Sequence, residues 1–129
     1  MTRLRQPPRG IRYLGYIPEA DLPGTFAGAT LFAYPSLYEG FGFPMVQAMA
    51  AGTPVITSAV SALPEIAGDA ALFIDPRSEA DLSEAMRTLL SSPSRREELA
   101  GRGRANARRF SWPECARNSL RFFEDVAGR

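Results

Sequence analysis

Hydrophobic and polar positions change period several times along this chain, and the changes divide it into alternating elements. Leu31-Phe-Ala-Tyr34 is a continuous apolar run, the pattern of a parallel strand covered on both sides. Pro54-Val-Ile-Thr57 and Ala71 to Ile74 read as the strands that follow, and Ile11-Arg-Tyr-Leu-Gly-Tyr16 as a short strand ahead of them. Helical spacing fills the intervals. Pro18 begins a helix that places Leu22, Phe26 and Ala29 on one face and ends around Gly28 to Thr30. Pro44 to Ala51 makes about two turns before Gly52 stops it, and Pro64 to Ala67 makes one short turn.

The second half is helical. Ser78 with Asp81 forms a capping box, ahead of a stripe of Leu82, Ala85, Met86, Leu89 and Leu90. Ser94 with Glu97 opens a helix running towards Phe110. Ser111 with Glu114 opens the last, in which Trp112, Ala116, Leu120, Phe123 and Ala127 recur at packing distances of three and four. Strands separated by helices, without hairpin signals, predict an α/β fold: a Rossmann-like parallel sheet with helices on both faces, followed by C-terminal helices. Residues 1–9 read as a flexible lead-in and residues 10–129 as one domain, with no internal repeat.

Composition narrows the chemistry. At 129 residues, with 45% hydrophobic and 22% charged positions, the chain has the make-up of a soluble globular domain. Its net charge of +1 gives no field to recruit nucleic acid. All 15 basic residues are arginine. Without lysine there is no Schiff base or P-loop lysine; without histidine, the usual general base and zinc ligand are missing. The arginines at 95, 96, 102, 104, 108 and 109 are interrupted by Glu97 and Glu98, as on a solvated helix face. Cys115 stands alone and is expected to pack. No apolar run reaches the roughly 18 residues that span a bilayer, so a cytoplasmic protein without a transmembrane segment is expected.

The stretch from Tyr34 to Thr53 carries the candidate site. Gly40 and Gly42 flank Phe41, which lets backbone approach a ligand closely, and Pro44 suits the first turn of a helix. The free amides and the roughly +0.5 charge of a helix N-terminus favour an anion such as a diphosphate. Glu39, beside them, would repel phosphate but accepts hydrogen bonds, so its most useful partner is a polyhydroxylated group attached to that phosphate, a sugar. Glycine-rich turns also occur merely to let a chain turn.

Two segments give this reading a family. Glu39-Gly-Phe-Gly-Phe-Pro44, with Gln47-Ala-Met-Ala-Ala-Gly-Thr-Pro-Val-Ile56, resembles the signature of retaining, nucleotide-sugar-dependent GT-B glycosyltransferases of group 1, also called family 4. Pro64-Glu-Ile-Ala-Gly-Asp-Ala70, ahead of an apolar strand ending in Asp75-Pro76, resembles a second family segment. The resemblance covers about residues 10 to 127 and corresponds to the later part of the donor-binding, C-terminal domain. It implies Glu39 as the catalytic carboxylate, accepting hydrogen bonds from sugar hydroxyls, and the backbone of Gly40, Phe41, Gly42, Phe43 and Pro44 around the sugar and diphosphate. The position eight after that Glu, usually a second Glu on the ribose, is Gln47 here. Tyr16 and Ile17, with Gly15, match the place where the family holds the nucleobase.

The implied reaction displaces a nucleoside diphosphate with retention and without a metal or other cofactor. The family's catalytic Arg/Lys pair and acceptor domain lie upstream of the matching segment, so a non-catalytic nucleotide-sugar-binding or assembly module is the alternative. The resemblance leaves the sugar, nucleotide and acceptor open. In a doubly wound order 3-2-1-4-5-6 the strands seen here are the third to the sixth, which leaves a gap between Ile11 to Tyr16 and Leu31 to Tyr34. The gap is expected either to close by direct pairing of those two strands or to leave an edge through which copies self-associate.

Overall fold

The strand Val55–Ser58 (β2) is buried at all four positions, and the rest of the chain is arranged around it. In a computed structural model, which describes residues 9–128, β2 lies between Phe32–Tyr34 (β1) and Ala71–Ile74 (β3) in a three-stranded sheet of order β1-β2-β3. Both pairings are parallel: Phe32 sits opposite Val55, and Val55 opposite Ala71. Because side chains alternate along a strand, the sheet needs cover on both faces, and it has it. Val55, Phe32, Tyr34, Ala71 and Phe73 face a cluster with Phe26, Met45, Ala48, Met49 and Leu63. Ile56, Ala33, Leu72 and Ile74 face a second cluster with Ala85 and Leu89.

The first cluster is covered by Leu22–Ala27 (α1), Phe43–Ala50 (α2) and Leu63–Ala67 (α3), the second by Glu79–Ser91 (α4). A 3-10 turn at Glu19–Asp21 leads into α1, so the helix predicted from Pro18 comes in two pieces. The hydroxyl of Thr53 donates to the Phe26 carbonyl at 2.6 Å, tying the end of α1 to the entry of β2. Pro93–Ala107 (α5) crosses α2 closely: a Cβ added to Gly103 would stand 3.3–3.4 Å from Met49 atoms, a tight fit that the bare backbone relieves. The Asn106 side chain donates to the Ile66 carbonyl at 2.9 Å, fixing α5 against α3. Trp112–Ala127 (α6) ends the chain.

The predicted cap at Ser78 forms, with its Oγ accepting the Asp81 amide at 3.1 Å. The reciprocal half of the box does not, because the Asp81 carboxylate takes the Asp75 amide and the Ser78 hydroxyl instead.

Several expectations are corrected. Ile11 to Tyr16 is not a strand: no ladder partner exists for it among the described residues, Gly15 takes φ +68°, and all six residues are exposed. A strand exists only through its neighbours' hydrogen bonds, and the direct pairing with Leu31 to Tyr34 does not occur, so β1 keeps an open edge. The cap of α5 is Ser92 rather than Ser94, because Pro93 occupies the first turn and places the accepting hydroxyl one residue before it. Leu90 is 54% exposed and lies off the α4 stripe. No residue of α6 is buried, so its apolar positions, and Cys115 among them, face outwards instead of packing. The lead-in at residues 1–8 lies outside the described residues.

Leu89, fully buried against β2, and Leu90, its exposed neighbour, separate the two faces of α4. Leu89→Ala is expected to cost about 2–5 kcal/mol in urea denaturation, and Leu90→Ala less than about 0.5 kcal/mol. Equal effects would mean that α4 is rotated on the sheet.

Candidate functional site

β1 delivers Tyr34 to the end of the sheet where the glycine loop begins, the end at which open parallel sheets take ligands. The Tyr34 hydroxyl donates to Oε1 of Glu39 at 2.5 Å, and the Ser36 hydroxyl donates to the same oxygen at 2.8 Å. Oε2 accepts from no described residue. The backbone N–H of Glu39 donates to Oγ of Ser61 at 3.0 Å, so the carboxylate is held from two elements.

These contacts set the electrostatics. The Tyr34 hydroxyl, followed by that of Ser36, holds the Glu39 carboxyl below the usual carboxylate range. Partial burial, and then Glu39 itself, push the Tyr34 hydroxyl above its ordinary value. Near neutrality the pair is therefore a neutral phenol donating to a charged carboxylate, with no proton to share.

The loop then turns into α2 through Gly42, whose φ of +91° is a left-handed conformation that side chains rarely adopt. A Cβ there would also stand 2.7 Å from Cδ2 of Leu63, so both geometry and space require glycine. As the N-cap, Gly42 supplies its carbonyl to the Met45 and Val46 amides but has no side chain to cap the helix. The amides of Gly40, Phe41, Gly42 and Phe43 find no acceptor among the described residues, and Pro44 has none to offer. Four consecutive unpartnered donors thus lead into a helix N-terminus.

Phe41 does more than contribute an amide. Its ring lies 4.7 Å from that of Phe43 and 5.3 Å, edge-on, from that of Phe110, anchoring the loop to the junction of α5 and α6. Gln47 lies one turn beyond Phe43 on the exposed face of α2. Tyr16 and Ile17 are not joined to the loop. Tyr16 is 89% exposed, and neither makes a hydrogen bond or aromatic contact with residues 39–44, as follows from the missing strand at Ile11 to Tyr16. Tyr34, Ser36 and Ser61 are the partners of Glu39 that sequence reasoning passed over. Only Ser36, three residues before Glu39, left a local signal. Among the described residues no three carboxylate or cysteine side chains converge. A shallow groove along β3 and α4 is lined by none of residues 39–47 and is the uncovered edge of the sheet.

Residues 3–106 match the family model described as glycosyl transferases group 1, and the chain belongs to that family. It is 45% identical over 114 residues to O-antigen chain mannosyltransferase B of Escherichia coli, covering 88% of this chain and 30% of that protein. It is 35% identical over 117 residues to an MMP alpha-(1->4)-mannosyltransferase of Mycolicibacterium hassiacum, with 88% and 28% covered. The structure is similar to sucrose-phosphate synthase from Thermosynechococcus elongatus, with a TM-score of 0.82 and 28% identity over 91% of this chain and 30% of that one. The fold is accordingly Rossmann-like and of GT-B type. The chain spans about 30% of the length of these relatives.

Since the folded-state pKa of Glu39 is depressed, the stability contributed by its charged contacts is present above the unfolded carboxyl pKa, near ~4.3, and is lost as pH falls through the lowered value. Tyr34→Phe removes the largest cause. The Glu39 carboxyl, followed by carbon-detected NMR titration, is expected to move up towards the ordinary range; an unmoved titration would show that the tyrosine does not hold it.

Proposed function

We propose that this chain is the donor-binding part of a retaining glycosyltransferase, and that it binds a nucleoside-diphosphate sugar across the N-terminus of α2. The observation that supports this best is the juxtaposition in one loop of a carboxylate with one free oxygen and four unpartnered amides. The amides of Gly40, Phe41, Gly42 and Phe43 complement diphosphate oxygens, and Oε2 of Glu39 complements a sugar hydroxyl. Mannose is the first candidate sugar, since two of the similar proteins are named mannosyltransferases.

In this reading the sugar–phosphate bond breaks with its electron pair going to the diphosphate, and the acceptor hydroxyl bonds to the anomeric carbon on the same face, its proton passing to the departing phosphate oxygen. The chain's part is to stabilise the charge of the departing diphosphate with fixed amide dipoles, which need no reorganisation as that charge develops. Glu39 orients the sugar, because its anionic oxygen takes a hydroxyl proton in a hydrogen bond without accepting it outright. Gln47 offers an amide oxygen to ribose, without the charge of a carboxylate. The reaction needs no metal in this proposal. Among the described residues no helix is long and apolar enough to cross a membrane, and the proposal takes the setting to be cytoplasmic.

Calorimetry with GDP-mannose and GDP, and with UDP-glucose and UDP, tests the site. Glu39→Gln is expected to weaken the bound sugar conjugate roughly tenfold and the bare nucleotide less than about twofold, the difference corresponding to one charged hydrogen bond. Adding EDTA should change neither affinity. Equal loss for both ligands would remove Glu39 from the sugar, and no binding of any of the four would overturn the proposal.

The same reading carries an expectation about assembly. The open edge of β1, the exposed Ile11, Tyr13 and Leu14, and the exposed Trp112, Leu120, Phe122 and Phe123 of α6 leave much apolar surface in water. We propose that the isolated chain self-associates through it. Light scattering should show a mass that rises with concentration; a monodisperse monomer with a sharp cooperative melt would overturn this.

A further inference from the structure

We infer that Ser61 is the positioning residue of the sugar-facing carboxylate, acting on Glu39 from the neighbouring connection at the same end of the sheet. This rests on the donor-binding reading above. Ser61 lies in the connection between β2 and α3, 22 residues from Glu39 in sequence, and its Oγ accepts the Glu39 backbone N–H at 3.0 Å. It is the one residue other than glycine with positive φ among the described residues, at +52°. Glycine would occupy that conformation without steric cost. A serine there carries a strained backbone, and what it supplies in return is a hydroxyl that glycine lacks.

The local geometry explains how that hydroxyl reaches its partner. The Leu63 amide donates to the Val60 carbonyl at 3.3 Å, closing a turn in which Ser61 is the second residue. The left-handed step at Ser61 lets this short turn send Leu63 into the core, where it is fully buried, while the Ser61 side chain stays at the surface beside the glycine loop. Leu63 abuts the α-carbon of Gly42 from below. The β2–α3 connection thus grips the loop at two points: Leu63 under Gly42 fixes its depth, and Ser61 on the Glu39 amide fixes where the carboxylate enters it. Tyr34 and Ser36 can hold Oε1 only if the Glu39 backbone is already in place. Ser61 supplies that placement.

Two variants separate the hydroxyl from the backbone. Ser61→Gly removes the hydroxyl and the strain together; Ser61→Ala removes the hydroxyl and keeps the strain. In the 15N-labelled full chain, hydrogen exchange of the Glu39 amide should accelerate roughly five- to tenfold in both, as for loss of one modest hydrogen bond. The Ser61→Gly chain, which folds at least as readily, should bind the conjugate that the wild-type chain takes, GDP-mannose or UDP-glucose, roughly fivefold more weakly, while GDP or UDP stays within about twofold. Wild-type exchange at Glu39 in both variants would overturn the inference. So would equal weakening of conjugate and bare nucleotide, which would make Ser61 a support of the whole loop. If the wild-type chain binds none of these probes, the proposed function falls, and the exchange measurement still decides whether Ser61 holds Glu39.

Discussion

Burial of β2 on both faces is the constraint on which the rest of this structure depends. From Thr53 to Ser58 no side chain reaches water, so each neighbour of that strand must supply either a hydrogen-bonding ladder or an apolar surface. β1 and β3 supply the ladders, and α2 and α4 the surfaces. Everything that acts chemically is then attached to the ends of these elements. Tyr34 stands at the end of β1, Gly42 at the start of α2, and Ser61 just past the end of β2. The rigid centre places two otherwise independent connections, β1 to α2 and β2 to α3, within hydrogen-bonding reach of one another.

The site is built by withholding groups as much as by providing them. A capping side chain at position 42 would satisfy an amide of α2, and its Cβ would meet Leu63; glycine does neither, so the helix start stays unsatisfied and open. Glu39 shows the same division, with one carboxylate oxygen committed to Tyr34 and Ser36 and the other free. Free donors and a half-occupied acceptor side by side suit a ligand that carries an anion at one end and hydroxyls at the other. That is the ligand chemistry which the proposed function assigns to the loop.

The surfaces away from β2 follow the same logic in reverse. Ile11 to Tyr16 is apolar enough to be a strand and α6 amphipathic enough to be a core helix, yet both lie exposed. Neither finds within the described residues the surface its pattern calls for. Local pattern states what an element would bury, and only a neighbour can grant it. The chain covers about 30% of its relatives' length.

The sequence by itself determined the α/β class, three of the four expected strands, the helices between them and the candidate loop from Glu39 to Pro44. Each rests on a short-range cause: a run of apolar residues, a capping serine, a glycine pair, a proline in a first turn. It also reached the family, because the residues around the loop stand together in the chain. The tertiary structure alone decided whether Ile11 to Tyr16 and α6 had anything to pack against, since burial belongs to pairs of surfaces. It alone decided that Tyr34 and Ser36 share one oxygen of Glu39 and that Ser61 takes the Glu39 amide. A contact across 22 residues has no periodicity to announce it. It exists because β2 returns the chain parallel to β1, which brings the two following connections to the same end of the sheet.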